Sequence, residues 1–220
     1  AVAAEGFDQW LSQLGRMDSE SNPAAAAGAW RDVVASPVDR LPQLLQAIRG
    51  DQPLAANWIR SAVDALASRA IAEGKSLPER QLEQFVLAGE GDPQARRLAY
   101  EWLCRVDASA AQRLLPGLLQ DASVELRREA VALRIAQAEQ LDQAGDTTAA
   151  RAAFRDALYA ARDEDQVKTL ADRLRGLDET VDLPRHFGFI QDWWLAAPFD
   201  NSGRRGFETR YPPEENASQP

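Results

Sequence analysis

Between Pro53 and Gly74 the chain reads PLAANWIRSAVDALASRAIAEG, and this stretch decides the fold class. Trp58, Ile59, Ala62, Val63, Leu66, Ala70 and Ile71 recur at three- and four-residue intervals, which gathers them on one wide face of an α-helix. Proline at the first helical position loses no hydrogen bond, and Gly74 stands where a helix C-cap favours a residue that tolerates positive φ. Across the whole chain alanine and leucine dominate the apolar residues while isoleucine, valine and threonine are sparse. That balance favours helix, because β-branched side chains lose rotamer freedom there.

The same pattern extends in both directions. Phe7, Trp10, Leu11 and Leu14 fall at helical spacing, and Asn22-Pro23 is a cap followed by a helix-starting proline for Trp30, Val33 and Val34. Leu41, Leu44, Leu45 and Ile48 continue it. Downstream, Leu82, Phe85 and Val86 end at Gly89, and Asp92-Pro93 repeats the cap-then-proline start for Ala95, Leu98, Ala99, Trp102 and Leu103. Pro116 within Leu114, Leu115, Leu118 and Leu119 must kink or break its helix. Val124 to Leu141, Ala150 to Leu158 and Val167 to Leu174 complete ten helices joined by short turns. The expectation is an all-α fold, a right-handed α-solenoid of about five antiparallel helix pairs. The pairs span 6–35, 38–73, 77–105, 108–143 and 147–175, in a helical-repeat domain of residues 1–178.

Two segments carry a family likeness. Leu114-Leu115-Pro116-Gly117-Leu118-Leu119, then Asp121, Leu126-Arg127, Ala130 and Leu133, resembles a HEAT repeat: a proline bends the first helix, an aspartate sits in the turn and an arginine opens the second helix. Asp92, Arg96, Ala99, Trp102 and Leu103 form a weaker copy. In physical terms small residues let helices approach closely, while the aspartate can cap backbone donors and pair with an arginine of the stack. The segment 134–162 is similar to a tetratricopeptide unit, with Ala138, Leu141, Gly145-Asp146, Ala150, Phe154, Ala157 and Leu158 on the motif positions and Arg162 where the usual proline would be. Both likenesses bear on the fold and are uninformative about function.

After Gly176 the character changes. Residues 179–220 hold Phe187, Phe189, Trp193, Trp194, Phe199, Phe207 and Tyr211 without helical periodicity, so a short C-terminal β or irregular segment is expected. Ile190 to Leu195 reads as a strand, which would place Trp193 and Leu195 on a covered side and Trp194 outward. Trp193-Trp194 through Phe199-Asp200-Asn201, with Gly206-Phe207 and Tyr211-Pro212-Pro213, resembles the opening of a β-sandwich module of large bacterial extracytoplasmic proteins that also carry HEAT-like repeats. The small residues Ala1-Val2-Ala3-Ala4 suit the end of a cleavage site equally well as an arbitrary start, so an extracytoplasmic compartment is raised but not decided.

The net charge of −9 argues against nucleic acid, whose phosphates are held by lysine and arginine, and no apolar run nears the length of a bilayer span. His186 is the only histidine and Cys104 the only cysteine, so the residues for a hydrolase triad, a multi-histidine zinc site or an internal disulfide are lacking. Cys104 reads as a small buried apolar residue. Asp200-Asn201-Ser202-Gly203 clusters oxygens in a turn but lacks a calcium-loop pattern, and Asn216-Ala217-Ser218 fits a glycosylation acceptor. The resulting expectation is a non-catalytic scaffold without cofactor, contacting a protein or a neighbouring domain of its own polypeptide. Trp193, Trp194, Phe199 and His186 are the candidate contact residues. The alternative is an accessory module of a secreted enzyme or carbohydrate-binding protein, with the tryptophans offering faces to sugar.

Overall fold

The starts of the helices at Pro23 and Pro93 are set by a side-chain cap followed by proline. Asn22 Oδ1 accepts from Ala24 N at 2.9 Å ahead of Pro23, and Asp92 Oδ1 accepts from Gln94 N at 2.9 Å and from Ala95 N at 3.3 Å around Pro93. The computed structural model describes residues 2–18, 22–193, 195, 199–206 and 208–211. Among these the helices are α1 (Val2–Gly15), α2 (Pro23–Val34), α3 (Leu41–Gln46), α4 (Pro53–Ala72), α5 (Glu79–Leu87), α6 (Pro93–Val106), α7 (Ala110–Leu114), α8 (Val124–Gln143), α9 (Thr147–Ala160), α10 (Glu164–Gly176) and α11 (Leu183–His186), with no strand. The all-α expectation therefore holds for the described residues. Two compact units divide the chain, Ala1–Thr180 and Val181–Pro220.

In the first unit, α1 packs on α2, α3 on α4, α5 on α6, α8 on the 3-10 turn Leu115–Leu118 that continues α7, and α9 on both α8 and α10. Cross-contacts link α2 and α1 to α4, α3 and α4 to α6, and α6 to α8. Each helix thus buries its apolar face mainly against elements near it in sequence. One core cluster runs from Phe7 through Leu44, Ile59, Leu66, Leu103 and Leu118 to Ala130, while Phe154, Ala157, Leu170 and Leu174 are buried among the last helices. Indoles clasp neighbouring turns: Trp30 Nε1 donates to Ser61 Oγ and Trp102 Nε1 to Asp64 Oδ1, both at 2.9 Å.

The structure refines several expectations. Gly74, at φ +73°, closes α4: Lys75 N donates to Ala70 O and Gly74 N to Ile71 O, which satisfies the orphan carbonyls of the last turn. Ile71 itself sits at the edge of the stripe and is exposed. Pro116 ends α7 and tightens the chain into the 3-10 turn, because a residue without N–H cannot continue the α-helical ladder. Cys104 is only half-buried, at the border of the core rather than within it. In the second unit the described residues form α11 and the 3-10 turn Ser202–Arg204, and the described part of Ile190–Leu195 has no regular structure. A strand needs a partner edge for its backbone groups, and none is formed among these residues.

Candidate functional site

The second unit holds the four residues singled out from the sequence. His186 ends α11, half-buried, with its ring edge-on to Phe187 at 5.5 Å between centroids, and Phe187 meets Phe189 at 6.3 Å. Phe199 lies against Tyr211 at 4.6 Å, and the Tyr211 hydroxyl donates to the Asp200 carbonyl. The ring contacts therefore pair His186 with Phe187 and Phe199 with Tyr211, and do not gather the candidates into one site. Trp193 is 77% exposed rather than covered, since no strand sets the alternation that would turn it inward. Trp194, Phe207 and Asn216–Ser218 lie outside the described residues.

Asp200, Asp165 and Asp107 are each engaged by groups of this chain. Asp200 Oδ1 accepts from Ser202 N at 2.8 Å and from Ser202 Oγ at 2.5 Å, bonds that hold its carboxyl below the usual range, while Asn201 Oδ1 accepts from Gly206 N at 2.9 Å. Around α10, Arg128 forks onto Asp165 at 2.9 and 2.5 Å and keeps that carboxyl down at about 2. Asp107 is likewise held at about 2, first by the Ser109 hydroxyl and then by Arg113. Among the described residues no three histidine, cysteine or acidic side chains are placed to hold a metal, and no helix is long and apolar enough to cross a membrane. Burial pushes the Tyr100 phenol well above its ordinary value beside Cys104 and Glu129.

Charged groups do reach deep inside at the join of α6 and α8. Arg96, 1% exposed, donates Nε and Nη2 to Val86 O at 3.0 and 2.6 Å, and Nη1 and Nη2 to the Asp121 carboxylate at 2.8 and 2.5 Å. Arg96 of α6 thus pairs with the aspartate in the turn that precedes α8. Arg127, six residues after Asp121, donates instead to the Asp121 main-chain carbonyl at 2.6 Å.

A groove of about 790 Å³ lies between the segment 39–46 and the α5 helix with its following turn. Gln43 and Gln46 face it from α3, Gln81 and Gln84 from α5, with Phe85 in the wall and Arg40, Asp39 and Glu90 at its margins. These four glutamines were not singled out from the sequence. The signal was present, as exposed glutamines three apart beside the buried Leu44, Leu45 and Leu82, repeated at the same interval on two successive first helices. A smaller groove of about 400 Å³ is lined by Leu119, Leu133, Arg134, Asp156 and Tyr159 beside α8. Arg134 and Asp156 bridge it at 2.7 Å.

No protein-family model matches this chain, and neither the curated proteins nor the solved structures compared with it contain a match.

Proposed function

We propose that this chain is a non-catalytic protein-interaction or interdomain scaffold, built as an α-solenoid of HEAT-like and tetratricopeptide-like helix pairs. The observation that carries the reading is the order of packing: α1 on α2, α3 on α4, α5 on α6, with links onward to the next pair. Such stacking buries one face of each helix and leaves the opposite faces in series, as a surface larger than any one pair could present. The groove between α3 and α5 is part of that surface. The residue inventory supports the same reading, because one histidine and one cysteine leave few groups for nucleophilic or acid–base work at neutral pH.

Two measurements test it. Small-angle scattering should give an elongated first unit, and the purified chain should bind a partner while showing no turnover. Turnover of a hydrolase or transferase substrate that survives repurification and scales with the concentration of chain would make the scaffold reading wrong. The exposed Trp193 favours a second reading, an accessory carbohydrate-binding module, since an indole face in water is a ready platform for sugar. Sugar-array binding abolished by Trp193→Ala would support it.

A further inference from the structure

We propose that the groove between α3 and α5 takes an extended polypeptide segment and holds it by its main chain, a ligand class that rests on the scaffold reading and sharpens it. Gln43 and Gln46 lie one helical turn apart on α3, and Gln81 and Gln84 one turn apart on α5, so two pairs of primary amides line the same opening. Among the described residues Gln46, Gln81 and Gln84 make no side-chain hydrogen bond. Gln43 gives its carbonyl oxygen to Arg40 Nη1 at 2.8 Å and keeps its two N–H donors free. Each amide offers two donors and an acceptor without charge.

A wall of this kind matches a ligand that presents neutral donors and acceptors in alternation along a line. An extended chain does so at every residue, whereas a helix has spent its N–H and C=O groups on itself. Arg40 is outnumbered at the margins by Asp39 and Glu90, which disfavours phosphate-bearing ligands. A sugar would look for an open aromatic face. Phe85 is half-buried, and Gly91 lies so close that a Cβ there would stand 3.5 Å from the ring, so the ring serves as wall and not as platform.

The intact chain is panned against a displayed library of random dodecapeptides, the tightest binder is synthesised, and its Kd is measured by calorimetry. The same measurement is made on Q46A/Q81A/Q84A and on a peptide with esters in place of alternate backbone amides. The expected result is a loss of about tenfold or more for each change, since a neutral hydrogen bond is worth roughly a factor of 2 to 12. The side-chain amide NMR signals of Gln46, Gln81 and Gln84 should also shift on binding. If the triple variant melts below the parent, Gln81→Ala and Gln84→Ala singly carry the comparison. A peptide that binds but ignores both the glutamines and the esters overturns the proposal and leaves the scaffold reading intact. It is equally overturned if no peptide is selected, or if cellohexaose or an oligouridylate shifts those amides while the peptide does not.

Discussion

Replacing Arg96 by methionine is expected to destabilise the protein by about 3 to 5 kcal/mol, the range found when one partner of a buried ion pair is removed. The magnitude follows from what is left behind. Methionine keeps most of the aliphatic stem, so packing changes little, but the Asp121 carboxylate, whose side chain is 6% exposed, loses both guanidinium bonds. Its remaining support is Ser123 N at 2.8 Å. Val86 O loses two donors in the same step. Removing both charges in Arg96→Met/Asp121→Leu abolishes the uncompensated carboxylate, so the double variant should be more stable than Arg96→Met alone, retaining a deficit of about 1 to 3 kcal/mol from the Ser123 and Val86 groups left unpaired. Urea unfolding followed by circular dichroism reads both quantities, with midpoints compared at unchanged slope. A single variant within about 1 kcal/mol of the parent, against the 3 to 5 expected for a stranded buried charge, refutes the reasoning. So does a double variant whose loss is the sum of the two single losses.

Gly50→Ala should lower stability by about 1 to 2 kcal/mol, because its Cβ would meet Asp92 Oδ2 at 2.9 Å, where that carboxylate accepts from Gly50 N and caps α6; a raised melting temperature would contradict this. Phe154→Ala should cost about 3 to 5 kcal/mol, since the ring is buried on α9, the helix that packs on both α8 and α10, and an unchanged urea midpoint would count against that packing. Acid should weaken the fold in a defined window. The carboxyls of Asp107 and Asp165 are depressed to about 2 in the folded chain, so their contribution is present above the unfolded value near pH 4 and lost as pH falls toward 2. Thermal melts between pH 5 and pH 2 should show this fall, reduced in a variant combining Asp107→Asn with Asp165→Asn.

Helices with a cap, a proline and an apolar stripe were legible because each of these signals is local. Asn22-Pro23, Asp92-Pro93 and Gly74 act within one turn of themselves, and the structure uses each as the spacing implies. Where a second element decides the outcome, local reading fails. Trp193 was expected to be covered because a strand has two faces, but a strand exists only through a partner edge, which no residue near Ile190 can supply by itself. Cys104 follows Leu103 on a core stripe yet lies at its border, since the width of the buried face depends on how closely the neighbouring helices approach. The glutamine pairs escaped notice for a similar reason: two exposed polar residues on one helix are unremarkable alone, and become a wall only when a second helix repeats them across a groove.

The aspartate turns show how local and distant roles combine in one residue. Asp92 caps its own helix with Oδ1 and receives Gly50 N from an earlier turn with Oδ2 at 2.6 Å. Asp121 orders its own turn through Ser123 N, yet its charge partner is Arg96 of the preceding helix pair, not Arg127 of its own segment. Gln166 continues the series by donating Nε2 to Arg128 O at 2.9 Å. In the two aspartates a side chain that orders its own turn also binds an earlier element, and Gln166 makes the same kind of backward link from within α10. Coupling of this kind passes from neighbour to neighbour, and a lesion at Arg96 should loosen α5 to α8 before it reaches α1 or α10. Hydrogen exchange resolved by segment would then show protection lost first in α5 to α8. Uniform loss across the first unit would mean instead that all its helices share one cooperative core.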